Sequence, residues 1–169
     1  PREASGTGSF MTLTVDAEWN GGGFDFDDNR LSLILRTSAD TWLNVETGAD
    51  AFVEGTPVLA SFGFNDALNS GTGQLEFYQD GSLVGTDVGL AFKSTTANQT
   101  TAIGHPVQDV GGIDFYTGAI SEIIVFDEYL GSANRRLIET YLSSKYSLTT
   151  SNSLFEFGAP YNDNVVGIG

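Results

Sequence analysis

Apolar and polar residues alternate along Phe10-Met11-Thr12-Leu13-Thr14-Val15-Asp16-Ala17-Glu18-Trp19, the period of a half-buried strand, until Asn20-Gly21-Gly22-Gly23 breaks the run. Residues 31–37, 42–45 and 57–64 read as three further strands. In the last, Val58, Ala60, Phe62 and Phe64 share one face and Leu59, Ser61 and Gly63 the other. The strongest local signal is Gln74-Leu75-Glu76-Phe77-Tyr78-Gln79-Asp80-Gly81-Ser82-Leu83-Val84-Gly85-Thr86. Two β-prone runs flank Asp-Gly, the pair that accepts positive φ in a tight hairpin. Residues 101–104 and 115–118 add short strands before a long apolar one at 120–126.

Only one stretch has helical periodicity. Residues 132–145 follow Gly131, with Ser132 the expected N-cap. Leu137, Ile138, Tyr141, Leu142 and Tyr146 form the stripe expected to pack on the strands, and Arg135, Arg136 and Glu139 fall outside it. From Ser147 to Ser153 the composition turns to Ser, Thr and Asn and reads as a linker. Residues 1–148 are thus expected to form one domain, and 149–169 a linker and β-prone tail. The expected fold is all-β, a two-sheet antiparallel jelly-roll-like sandwich with one α-helix in the C-terminal half.

Three motifs carry a resemblance. The hairpin Leu75-Glu76-Phe77-Tyr78-Gln79-Asp80-Gly81-Ser82-Leu83-Val84-Gly85, the strand Phe115-Tyr116-Thr117-Gly118-Ala119-Ile120-Ser121-Glu122-Ile123-Ile124-Val125-Phe126 and the helix reaching Tyr146 occur in that order. They resemble the laminin-G-like branch of the concanavalin A-like lectin/glucanase superfamily, in particular its bacterial extracellular modules. Asp80 stands where that hairpin usually has Asn. The resemblance covers rather less than half the chain, and the first outer strands of such a sandwich have no counterpart. Residues 161–169 look like the opening of a following module. The chain begins Pro1-Arg2 without an initiator Met, which reads as a processed product or an excised piece of a longer protein.

Composition narrows the function classes. Seven basic against 22 acidic residues give a formal charge of −15, which argues against nucleic acid or an anionic membrane as partner. The absence of cysteine excludes disulfides, thiolate catalysis and Cys-based zinc sites. No apolar run approaches the roughly 20 residues needed to span a bilayer. His105 is the sole histidine and has no nucleophile motif beside it. Glu122 invites comparison with a glucanase carboxylate, but glycoside hydrolysis needs a pair, and the superfamily's Glu-x-Asp-x-x-Glu run is missing. A solvent-facing strand residue is the simpler reading of Glu122.

The remaining candidates are binding sites. Asp25, Asp27, Asp28 and Asn29 gather hard oxygen donors after a triple-Gly stretch and are the expected calcium loop, with a merely solvated acidic turn as the alternative. Asp109 and Asp114 form a weaker acidic rim. Trp19, Trp42, Tyr78 and Tyr116 are the candidate sugar-stacking aromatics, against a core role for each. Phe155, Phe157, Val165 and Ile168 equip the tail for strand addition to an open sheet edge, in another copy of the chain or in its own. The expected function is a non-enzymatic extracellular or cell-surface module recognising a glycan or a surface protein. The alternatives are a processed subunit that assembles with copies of itself into a filament or array and, more remotely, a glycoside hydrolase relic.

Overall fold

The computed structural model describes residues 8–15, 22–27, 30–36, 41–47, 55–65, 67–68, 73–88, 100–104 and 118–151. Among these residues eight strands precede one helix. They are β1 (Gly8–Val15), β2 (Gly22–Asp27), β3 (Arg30–Arg36), β4 (Trp42–Glu46), β5 (Ala60–Asn65), β6 (Gln74–Gln79), β7 (Ser82–Val88) and β8 (Thr100–Ile103), followed by α1 (Ser132–Tyr146). A five-stranded sheet has the order β4-β3-β2-β1-β8, and a three-stranded sheet the order β5-β6-β7. All pairings are antiparallel. The chain is therefore mostly strand with a single helix among its described residues.

Register explains the strands. Val45, Leu33, Phe24, Met11 and Ile103 are successive cross-strand partners, one apolar row across all five strands of the larger sheet. In the smaller sheet Phe62 pairs with Phe77 and Phe64 with Leu75, so these four occupy one face. Leu75 and Phe77 are fully buried there. The two sheets meet where β4 touches β7. A Cβ on Gly85 would lie 2.9 Å from Val45 Cγ1, so that contact requires glycine. The turn between β6 and β7 is the expected Asp-Gly hairpin, with φ of 48° at Asp80 and 79° at Gly81.

Four expectations are corrected. β2 replaces the expected break and acidic loop, because Phe24-Asp25-Phe26-Asp27 alternates with period two and pairs with both neighbours. Residues 119–126 form no strand; without a ladder partner among the described residues, an apolar run alone does not make one. The N-cap of α1 is Gly131, without a side-chain cap bond, and Ser132 is the first helical residue. The fourth correction is the docked face of the helix. Of the expected stripe, Leu137 is 57% and Tyr141 46% exposed and Ile138, Leu142 and Tyr146 are half-buried, whereas Glu139, Thr140 and Ser143 are buried. Ser61 bonds Glu139 and Tyr78 lies under Arg135, so the helix turns polar side chains to these strand positions.

Candidate functional site

The outer face of the three-stranded sheet carries the densest side-chain chemistry. Alternation along β6 sends Leu75 and Phe77 inward and leaves Glu76 and Tyr78 outward. The Glu76 carboxylate accepts three bonds: Gln74 Nε2 at 3.0 Å, Tyr78 Oη at 2.7 Å and Tyr129 Oη at 2.8 Å. Tyr129 enters from the segment before the helix, and its ring lies against Gly63, where a Cβ would stand 3.0 Å from it. Burial, then the bond to Glu76, pushes the Tyr78 phenol up to about 12, and the same two causes raise that of Tyr129.

The helix adds the second half. Arg135 places its guanidinium 3.5 Å from the centre of the Tyr78 ring, a cation–π stack, and pairs with Glu139 Oε1 at 2.7 Å one turn later. Ser61 Oγ of β5 donates to the same Glu139 oxygen at 2.9 Å. Glu139 Oε2 is buried and finds no donor among the described residues. Glu139 is only 2% exposed, and every other described bond of the cluster is internal. Such an arrangement can orient a helix on a sheet.

The far end of α1 is tied to the segment preceding it. Lys145 Nζ donates to Tyr141 Oη at 3.0 Å and to Glu122 Oε2 at 3.1 Å, and Tyr146 Oη donates to Glu122 at 3.0 Å. The Tyr141 hydroxyl, then Glu122, holds the Lys145 ammonium above its ordinary range. Glu122 thus serves as an anchor for the helix. Beside this tether Val125 is 69% exposed and Ile124 and Phe126 are exposed too, while Leu137 and Tyr141 lie on the side of the helix opposite Glu139.

A third junction lies at the hairpin turn. Asp80 N–H donates to Leu59 O at 2.8 Å, and Leu59 N–H returns a bond to Asp80 Oδ1 at 2.9 Å. Burial pushes the Asp80 carboxyl above its ordinary value, against the opposing pull of the Leu59 N–H. Ser151 N–H donates to Asp80 O at 2.9 Å, so residues 147–151, expected as linker, are fastened to the fold.

The sequence-derived candidates do not converge in one place. Asp25 and Asp27 lie in β2, opposite Ser32 and Arg30 in register, and Asp28 and Asn29 fall outside the described residues. Arg30 bonds Glu46 across the neighbouring strand pair at 3.1 Å. Among the described residues no three His, Cys, Asp or Glu side chains gather as a metal site. Trp42 sits in β4 opposite Arg36. Tyr78 is buried with one ring face under Arg135. Trp19, Tyr116, Asp109, Asp114 and His105 lie outside the described residues, as do the tail positions Phe155, Phe157, Val165 and Ile168. Sequence reasoning missed Ser61, Glu76, Tyr129, Arg135 and Glu139. The one local signal was the i,i+4 spacing of Arg135 and Glu139.

Comparison with known proteins adds no assignment. No family model matches the chain. No curated protein and no solved structure matches it either. Among the described residues no helix is long and apolar enough to cross a membrane.

Proposed function

We propose that this chain is a non-enzymatic extracellular recognition module that binds a protein surface through the apolar side of α1 and the neighbouring residues 124–126. The supporting observation is the exposure of Leu137, Tyr141, Ile124, Val125 and Phe126 around the Lys145–Glu122 tether. Exposed apolar groups scattered singly are ordinary, but a cluster rimmed by charge is characteristic of docking sites. The net charge of −15 selects a partner whose apolar patch is bordered by basic side chains. A protein partner is preferred over a glycan because the ring of Tyr78 is already stacked by Arg135. The reading includes the finer architecture, a jelly-roll-like sandwich closed by the contact of β4 with β7.

The test is binding of the immobilised full chain to panels of purified extracellular proteins and glycans, with and without a calcium chelator. The expected result is a protein ligand retained under chelation and lost in Leu137→Asp and in Val125→Asp, both folded by circular dichroism. Chelator-sensitive glycan binding untouched by either substitution would refute the reading.

A further inference from the structure

We infer that the partner meets this surface through a segment whose apolar side chains are followed at one end by Lys or Arg, and that Asp127 and Glu128 receive those cations. The inference rests on the recognition surface proposed above and specifies what occupies it. Ile124, Val125, Phe126, Asp127 and Glu128 are exposed without interruption, an apolar run passing directly into an acidic pair. Both flanks of this run are fastened. Glu122 accepts bonds from Lys145 at 3.1 Å and from Tyr146 at 3.0 Å. Tyr129 donates to Glu76 at 2.8 Å and rests its ring against Gly63. A short run held at both ends has little freedom left to lose on binding, which lowers the cost of association.

Charge selects the occupant. The three cations of α1 are engaged, Lys145 by Glu122, Arg135 by Glu139 at 2.7 Å, and Arg136 by contacts of its own. Residues 118–131 contain no Lys or Arg. Exposed carboxylates at the border of an apolar patch attract a cation of the partner and repel an anion, so they set association rate and specificity more than raw affinity. The exposed acid stands at the C-terminal end of the run, whereas Glu122 at the other end is matched by Lys145. The partner's basic residues therefore lie at one end of its apolar strip, and it docks in one orientation. A second copy of the chain is a poor occupant, because it brings the same acidic pair and a further charge of −15.

The probe is a synthetic peptide with Leu at helical spacing and Lys confined to one end, and its counterpart has Glu in place of Lys. Surface plasmon resonance on the full chain, at low and at physiological ionic strength, should show binding of the Lys peptide and not of the Glu peptide. Asp127→Asn with Glu128→Gln should slow association about tenfold, flatten its dependence on salt and leave dissociation nearly unchanged. Asp87→Asn, on β7, should leave the association rate in place. Leu137→Ser with Val125→Ser, which keeps the charge and is checked for folding by circular dichroism, should abolish binding.

The outcomes separate the two readings. Peptide retained by Leu137→Ser with Val125→Ser would overturn the surface and this inference with it. Binding lost in that variant, but with an association rate unaltered by Asp127→Asn with Glu128→Gln, would overturn the inference alone. Equal binding of the Glu peptide, or no binding of the Lys peptide, would do the same. Self-association of the native chain by light scattering, lost in Leu137→Ser with Val125→Ser, would make a second copy the occupant and overturn it too.

Discussion

Replacing Glu139 with Ala removes the acceptor on which Ser61 and Arg135 converge, and this is the substitution that best separates polar from apolar docking of α1. A bond from a neutral donor to a charged group contributes about 1.5–3 kcal/mol. Breaking a buried ion pair from one side costs about 3–5 kcal/mol, because the partner keeps its charge without a counterion. The two losses share one carboxylate and do not add in full. Arg135 also keeps its stack on Tyr78, which favours the lower end of the range. The expected cost of Glu139→Ala is therefore about 3 kcal/mol. Leu137→Ala, on the exposed side of the same helix, should change stability by less than about 0.5 kcal/mol. Urea unfolding of the full chain, followed by far-UV circular dichroism, measures both. With a slope of about 2 kcal/mol per molar, Glu139→Ala moves the midpoint down by about 1.5 M and Leu137→Ala leaves it in place. A larger loss from Leu137→Ala than from Glu139→Ala would refute the polar docking. Arg135→Met added to Glu139→Met should recover part of the loss, since an apolar pair leaves no charge stranded.

Gly85→Ala should cost about 1–3 kcal/mol, because its Cβ would press on Val45 Cγ1. Val45→Ala in the same chain should relieve it, so that the double variant is more stable than the two single costs imply; strict additivity in denaturant melts would contradict the contact. The proton of Tyr78 is held up to about 12 in the folded state against 10.0 in the unfolded chain. Its contribution is present in full below pH 10 and is lost as pH rises through 12, and the loss of stability across that window should be shallower in Tyr78→Phe. An identical pH dependence for the two proteins would remove Tyr78 as its cause. A calcium site at Asp25, Asp27, Asp28 and Asn29, if it forms although the first two lie in β2, would raise the melting temperature at millimolar concentration, an effect abolished by Asp27→Ala with Asp28→Ala. The absence of a shift, or one that survives the substitutions, sinks that site.

What could be read in the sequence was what local rules decide. Asp80-Gly81 specifies a hairpin by itself, since both residues must take positive φ, and β6 and β7 follow from it. The extent of α1 was legible to within one residue at each end, as helical periodicity is local too. Its orientation was not, because the receiving surface is set by the alternation of distant strands. Ser61 and Glu139 are 78 residues apart, and nothing near either announces the other. β2 was missed for a different reason: the glycines at 21–23 read as a breaker, although Gly22 and Gly23 pair within the ladder. The run at 119–126 shows the converse failure. Its apolar composition is strand-like, but a strand exists only with a partner, and composition does not supply one.

The polar docking of α1 bears on the proposed recognition surface. Had the helix buried its Leu137 and Tyr141 side, the hydrophobic effect would have held it in place, and its outward face would carry Arg135 and Glu139. Here the bond from Ser61 to Glu139 and the stack of Arg135 on Tyr78 hold one face. The apolar side is turned outward as a consequence. Directional bonds also restrict rotation about the helix axis more tightly than apolar contact does, since each tolerates only a narrow range of distance and angle. Burying Glu139 with one oxygen unmatched is costly by the same rules, and such a cost is commonly offset where fixed orientation serves function. On the proposed reading, the polar docking of α1 is what would hold Leu137 and Tyr141 at a fixed orientation toward a partner.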